Sequence, residues 1–323
     1  MANEKFEQLK NDLRLPLIAA PMFLVSGPDL VVAACSNGVI GSFPTANCRT
    51  SEELDYWMLT ISHQLQAKGS STEWKTGPVC PNLIVHKSNT RVQDDLAVLL
   101  KHKPRIVITS VGPPTPVLEP LHDIGALVFA DVATIAHAKK ALAAGADGLV
   151  LLTAGAGGQT GWLNPFVFVQ DVRRFFDGPI VLAGGISNGQ GLYTAEVLGC
   201  DLGYMGTRFI GTEESMAVAD YKTMLVESMA DDIQLTSAVT GLPTNILKPS
   251  ILKAGLDPAN MPDRGAIDKT KDINPDGPNN PAKRWKDIWS AGHTVSGVTD
   301  IISIAELVSD TEREYEAAQL AAP

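Results

Sequence analysis

Between residues 15 and 206 the chain alternates steadily between a short apolar run and an amphipathic stretch, and this alternation limits its fold more than any other feature. The apolar runs cover residues 15–20, 39–43, 78–85, 105–109, 126–130, 148–152, 179–183 and 202–205, and helical periodicity fills 28–36, 51–65, 90–100, 135–144, 165–176 and 189–198. Strands that are apolar throughout have no solvent face, so their sheet is parallel and covered on both sides by the intervening helices. Eight such units at this spacing predict a closed (β/α)8 barrel of the TIM type. A doubly wound open sheet is the alternative. Against it, the first strand-to-helix turn, Ala20-Pro21-Met22, has neither the G-x-G-x-x-G fingerprint nor an acid placed to hold a ribose.

After residue 207 the pattern changes. Residues 213–229 read as one long helix, and 257–281 are rich in Pro, Asp, Asn, Gly and Lys with little periodicity. The expected organisation is a barrel over 1–209, a mostly helical insertion with a mobile polar loop over 210–284, and a return segment over 285–323 that ends in a helix at 303–318. At 323 residues, one large core with an appendage fits better than two enzyme domains.

The most suggestive stretch is Val181-Leu182-Ala183-Gly184-Gly185-Ile186-Ser187-Asn188-Gly189, echoed by Tyr204-Met205-Gly206-Thr207-Arg208-Phe209. In each, a strand ends abruptly in glycine, where the backbone can turn sharply and approach a ligand with no Cβ in the way. Two such turns on neighbouring strands, each running into a helix, make a cup of backbone amides suited to a phosphate. Ordinary strand-to-helix turns are the plain alternative, but the closing strands are where a (β/α)8 barrel binds phosphate.

Composition narrows the function classes. Acidic residues outnumber basic ones by 36 to 26, a formal net charge of −10, and no basic run with interleaved aromatics is present to follow a nucleic-acid backbone. Residues 1–14 are charged rather than signal-like, and no stretch of about 18 apolar residues could span a bilayer. A cytoplasmic protein with no nucleic-acid or membrane partner is expected. Cys35, Cys48, Cys80 and Cys200 lie far apart without C-x-x-C spacing, which argues against a disulfide framework and a zinc site and for inert thiols. Paired carboxylates, H-E-x-x-H, G-x-S-x-G and a Walker loop are absent, so glycosidase, zinc protease, α/β-hydrolase and P-loop readings fall away.

Reactive groups of a barrel sit at the carboxyl ends of its strands. There, Pro21 fixes the exit from strand one, and Asn82 after strand three suits the edge of a heterocycle or simply a turn. Asp131 at the end of strand five either orients a ligand hydroxyl or caps the helix starting near Thr134. Four glycines crowd residues 153–161 after strand six, more than a simple connection needs, and Gln159 is the long polar side chain there. His63, His102, His122 and His137 read as solvated and His86 as a weak candidate. His293, in an apolar glycine-containing turn, is either mouth-facing or a satisfied structural histidine.

Taken together, Ala20-Pro21-Met22, Asn82, Ala156-Gly157-Gly158, Ala183-Gly184-Gly185-Ile186, Met205-Gly206-Thr207-Arg208-Phe209 and Ile288-Trp289-Ser290-Ala291-Gly292 resemble, in order and spacing, the nitronate monooxygenase family. That family also includes flavin-dependent enoyl-acyl-carrier-protein reductases and some quinone reductases. The resemblance implies FMN at the mouth of a TIM barrel under the insertion, its phosphate on Gly184, Gly185, Gly206 and Thr207 and its ring against Ala20, Met22 and Asn82. Pro21, Asp131, Gly157 and Gly158 complete the expected cofactor contacts. Two departures stand out: Gln159 occupies the place where the family usually has a catalytic histidine, and Asp131 the place where many members have lysine.

The activity implied is oxidation of an alkyl nitronate with O2 to a carbonyl compound and nitrite, with Gln159 donating to the nitro oxygens and His293 as the remaining candidate base for neutral nitroalkanes. Two alternatives stand beside it: an FMN enzyme that passes electrons from NAD(P)H to an enoyl thioester or quinone, and a flavin-free barrel that binds a phosphorylated ligand. An oligomer is compatible with either.

Overall fold

The structure is a computed structural model that describes residues 2–69, 74–261 and 287–322. Eight strands close a parallel barrel: β1 (Leu17–Ala19), β2 (Ile40–Pro44), β3 (Val79–Ile84), β4 (Ile106–Ser110), β5 (Leu127–Val132), β6 (Gly148–Leu152), then, after a two-residue strand β7 (Gly158–Gln159) outside the barrel, β8 (Ile180–Ala183) and β9 (Leu202–Met205). Closure is made where β1 pairs on one side with β2 (Ile18↔Ile40) and on the other with β9 (Ile18↔Tyr204). The eight apolar runs are the eight barrel strands, and the open-sheet alternative is excluded.

Strand alternation fills the barrel. Ile18, Ile40, Cys80, Ile106, Ile108, Leu127, Phe129, Val150, Val181 and Leu202 pack inside it, while the alternate residues face the helices. The bottom is sealed by α1 (Ala2–Asn11), whose Phe6 and Leu9 are buried in that same inner cluster. The Phe6 ring lies 5.9 Å from that of Phe129. The sequence reading weighed residues 1–14 only as a leader and missed this role: an amphipathic helix so short has no stability of its own and forms because its apolar stripe has a barrel end to cover.

Around the barrel, α2 (Pro28–Ser36), α3 (Ser51–Lys68), α4 (Val92–His102), α5 (Leu118–Asp123), α6 (Ile135–Ala144), α7 (Pro165–Arg173) and α8 (Gly189–Val197) form the outer layer. The last helix, Ile304–Ala321, lies on α8 so closely that a Cβ on Gly189 would fall 2.1 Å from the Thr311 carbonyl oxygen. Arg14 ties that helix to the barrel through Glu312 at 2.6 Å.

The segment after β9 differs from expectation in two respects. The helix read over 213–229 starts at Ala219 and ends at Glu227 (α10, after the short α9, Thr207–Ile210). Tertiary bonds claim the preceding residues: Met216 N–H donates to the Val25 carbonyl, Ser215 Oγ to the Ile210 carbonyl, and the Glu214 carboxylate accepts from Ile304 N–H. Nor are the described residues of 210–261 mostly helical, because they include an antiparallel pair, β10 (Ile233–Thr236) and β11 (Thr244–Leu247), before α11 (Lys248–Lys253). β11 goes on to pair with β7, so the strand-six glycine loop is the third strand of this small sheet. Most of the polar loop expected over 257–281 lies outside the described residues. Among the described residues no helix is long and apolar enough to cross a membrane.

Candidate active site

One cavity opens at the carboxyl ends of the strands, and its lining gathers nearly every candidate residue: Ala20, Pro21 and Met22 from β1, Asn82 from β3, Asp131 from β5, Gly157, Gly158 and Gln159 from β7, Gly184 and Gly185 from β8, and Gly206 and Thr207 after β9. The glycines there have the geometry of a cradle. Gly184 and Gly185 hold φ of +113° and +83°, which only glycine adopts without strain, and a Cβ on Gly185 would meet nothing within 4 Å, so the backbone borders open space. Gly206, on the neighbouring strand, has nothing nearer than 3.6 Å. Gly157 serves differently, as a close-approach position: a Cβ would lie 2.8 Å from the backbone nitrogen of Gly292.

The walls are set by hydrogen bonds. Asn47, in the turn after β2, donates to the carbonyls of Met22 and Ser26 and accepts from Leu24 N–H, fixing the exit of β1. Ser110 Oγ donates to Asn82 Oδ1 at 3.2 Å and the Asn82 amide nitrogen donates one N–H to the Ile108 carbonyl at 3.4 Å, which leaves its second N–H uncommitted at the cavity lining. Asn245 of β11 donates to the Ala156 carbonyl at 2.7 Å, and Thr207 Oγ1 accepts from Gly292 N–H at 2.9 Å, so insertion and return segment are both latched to the mouth. Val111, which also lines the cavity, sits at φ +60°, an uncommon and costly conformation for a β-branched residue.

Opposite the glycines the wall is apolar and aromatic. Tyr221 stacks on Trp289 with ring centroids 5.0 Å apart at 12°, its hydroxyl donating to the Ser290 carbonyl, and Phe23, Val25 and Ile210 continue the surface. Asp131 and Tyr204 form part of the floor. Burial pushes the Asp131 carboxyl up to about 8 and the Tyr204 phenol well above its usual value, the latter also through the nearby Asp131. The helix-cap alternative for Asp131 does not hold, since Thr134 Oγ1 accepts from His137 N–H and caps α6.

His293 departs from expectation. It is exposed and absent from the cavity lining, with Thr294 facing the cavity instead. Its backbone N–H, donating to the Gly155 carbonyl at 2.9 Å, is what this position contributes. The turn is apolar because it packs down on the glycine loop, and no mouth-facing imidazole follows. Arg208 is likewise turned away, its guanidinium paired with Asp300 at 2.6 Å. His86 lies outside the lining, with its Nδ1 2.8 Å from Ser88 Oγ, and His122 pairs with Asp147 at 2.9 Å. The four cysteines are free and buried, and burial pushes the thiols of Cys35, Cys80 and Cys200 up to about 12, as inert thiols require.

Tyr204, Ser110, Tyr221 and Trp289 were not singled out from sequence. Tyr204 could have been found, because it lies two residues beyond Leu202 on a strand whose inner face repeats every second residue. Ser110 stands at the end of β4 by the same logic.

A closed parallel barrel whose carboxyl-end cavity joins a glycine cradle to an apolar wall defines the class as a TIM barrel with a small-molecule cavity at the mouth. The model of the family described as nitronate monooxygenase matches residues 7–313, and the chain belongs to that family of flavin-dependent oxidoreductases, which act on small molecules. A protein of Rhodococcus jostii named (3aS,4S,5R,7aS)-5-hydroxy-7a-methyl-1-oxo-octahydro-1H-indene-4-carboxyl-CoA dehydrogenase is 26% identical over 253 residues, 78% of this chain and 67% of its own. A nitronate monooxygenase of Paraburkholderia phytofirmans is 25% identical over 75% of this chain and 76% of its own. Among solved structures, nitroalkane oxidase from Streptomyces ansochromogenes superposes with a TM-score of 0.78 at 23% identity, over 97% of this chain and 99% of its own. Family membership leaves no support for the flavin-free barrel.

Proposed function

We propose that this protein binds FMN and oxidises alkyl nitronates with O2 to a carbonyl compound and nitrite. The observation that carries the reading is the pair of glycine turns after adjacent strands β8 and β9, with Gly185 facing open space in a cavity that combines an apolar wall with a few polar side chains. The residues suit the cofactor on two counts. The backbone at Gly185 and Gly206 leaves room for a phosphoryl group, with Gly184 and Thr207 beside it in the cavity lining, and Asp131 Oδ1 is buried without a hydrogen-bond partner among the described residues, as expected of a group that meets a polar ligand.

A bound flavin would supply the electron-accepting centre. The chain's own residues do the rest. Asn82, held by Ser110 and by the Ile108 carbonyl, has one N–H left to donate to a heterocycle edge, with Ala20, Pro21 and Met22 beside it. Gln159, fixed by the β7–β11 pairing of Gln159 with Thr244, can donate to the nitro oxygens of a nitronate and cannot remove a proton from carbon. With His293 outside the cavity, no histidine lines the mouth among the described residues, which suits a substrate that arrives already deprotonated. The aromatic wall excludes water around it. The test is an absorption spectrum of the purified chain followed by nitrite release from ethylnitronate. Flavin peaks with nitrite support the reading, and a colourless protein that takes up no FMN removes it.

A second reading has its own support. The breadth of the apolar wall formed by Tyr221, Trp289, Phe23, Val25 and Ile210 suits an alicyclic or acyl substrate, as does the likeness to a protein named a carboxyl-CoA dehydrogenase. An FMN enzyme using NAD(P)H, or delivering electrons to an enoyl or quinone acceptor, would share the same cradle. Rapid anaerobic bleaching of the flavin by NADH or NADPH selects it.

A further inference from the structure

The floor of the cavity holds groups that nitronate chemistry leaves idle. On β5, Leu127 and Phe129 point into the barrel core, and alternation aims Asp131 the same way one pleat higher. Tyr204 does likewise from β9, two residues beyond Leu202. Both line the cavity, and Asp131 Oδ1 is sealed from solvent with no hydrogen-bond partner among the described residues.

An ionised carboxylate persists in such a place only beside a cation or several donors. The described lining residues include no Lys, Arg or His, and Arg208 is engaged by Asp300. Among the described residues the groups around Asp131 offer no positive charge either. Val150 pairs with it on β6, Ser110 closes the adjoining strand β4, and the titratable groups within electrostatic reach, Tyr204 on β9 and Cys80 on β3, are acids whose ionised forms would add negative charge. A neutral carboxyl avoids that cost and gains an O–H donor with nothing in the protein to receive it.

We propose that Asp131 is held protonated and, with Tyr204 as a second neutral donor, hydrogen-bonds a bound flavin from the barrel floor, so that flavin retention is set by the protonation of this carboxyl. The inference rests on the FMN reading above. Burial places the carboxyl at about 8. Below that pH Asp131 donates. Above it a bare negative charge faces an anionic cofactor in a cavity whose described lining holds no cation, and affinity falls with each further pH unit. Tyr204 and Cys80, both pushed up by burial, keep their protons throughout the window.

The experiment dilutes the FMN-loaded full-length chain at pH values from 6 to 9 and follows released flavin by its fluorescence to obtain Kd. The native protein is expected to hold a constant Kd from pH 6 to 7 and to bind about tenfold more weakly at pH 9. Asp131→Asn, which keeps an N–H donor at every pH, should bind within about threefold of native at pH 7 and change less than about twofold up to pH 9, whereas Asp131→Ala should be weaker at pH 7 and equally flat. A native Kd that is flat from pH 6 to 9 overturns the inference without any variant, as does an Asp131→Asn curve with the native slope. A chain that carries no FMN and takes up none at pH 7 overturns the FMN reading and the inference with it. Tight but pH-independent binding overturns the inference alone.

Discussion

The two ends of the barrel obey opposite rules. At the amino end of the strands, α1 presses Phe6 and Leu9 into a dry cluster with Ile106, Leu127 and Phe129, so every exposed apolar surface there has been covered by the chain itself. At the carboxyl end, the described chain stops covering itself: Gly185 holds backbone at the edge of open space, a carboxyl oxygen lacks a partner among the described residues, and Val111 takes a costly conformation. Stability is concentrated at one end and deferred to a ligand at the other, as expected where function demands unsatisfied groups.

The comparison is broken most forcefully from the sealed end. Phe6→Ala should remove about 3–5 kcal/mol of unfolding free energy in a urea titration and leave the FMN Kd unchanged within about twofold. A parallel loss of flavin affinity would show that the ends are coupled. At the open end, Gly185→Val should weaken FMN binding by roughly 100-fold, about 2.7 kcal/mol, because the new side chain occupies the space meant for the ligand. Its cost to folding should be smaller, roughly 1–2 kcal/mol from the left-handed backbone. The reverse order would mean that the cradle is structural.

Asp131 sharpens the contrast through pH. Burial pushes its carboxyl up to about 8 in the fold from an ordinary 3.8 in the unfolded chain, so the folded chain binds the extra proton between those values. Its contribution is therefore fully present below about 4 and is lost as pH rises to about 8. Asp131→Asn should gain on the native protein across that window, by roughly 2 kcal/mol at pH 8.5 relative to pH 4 once solvent in the cavity is allowed for. Urea titrations of both proteins at the two pH values measure it. A smaller effect is expected at the latch, where Thr207→Val removes the acceptor for Gly292 N–H and should cost about 1 kcal/mol in the same assay. Smallest of all, His293→Ala should leave nitrite release within about twofold of native, because the imidazole faces solvent.

How much of this could be read in advance differs between the same two regions. The strands and the glycine cradle were legible because both are local signals: an apolar run bounded by turn residues, and a Gly-Gly where a strand stops. The plug at the bottom was not, since the stripe of Phe6 and Leu9 means little until a barrel end exists to receive it. Helical propensity over 213–218 was outvoted by a local bond to Ile210 and by bonds to Val25 and Ile304, both far away in sequence. At the mouth, the glycine-rich stretch at 153–161 correctly announced close backbone contact, but the partners Asn245, Ala291 and Gly292 came from the far end of the chain. The oddity of an apolar turn around His293 was real and its cause misassigned, because the backbone makes the contact there.

The closure of β1 against β9 has a bearing on how the chain is born. During synthesis the first helix emerges with Phe6 and Leu9 bare, and the strand that completes its seat, Leu202–Met205, follows some 200 residues later. For that interval a nascent chain carries an unburied greasy surface and a first strand with one edge unpaired, the kind of surface that invites chaperones or aggregation. Yield in an expression host should therefore depend on elongation rate and on holdase supply more than the stability of the finished barrel would suggest.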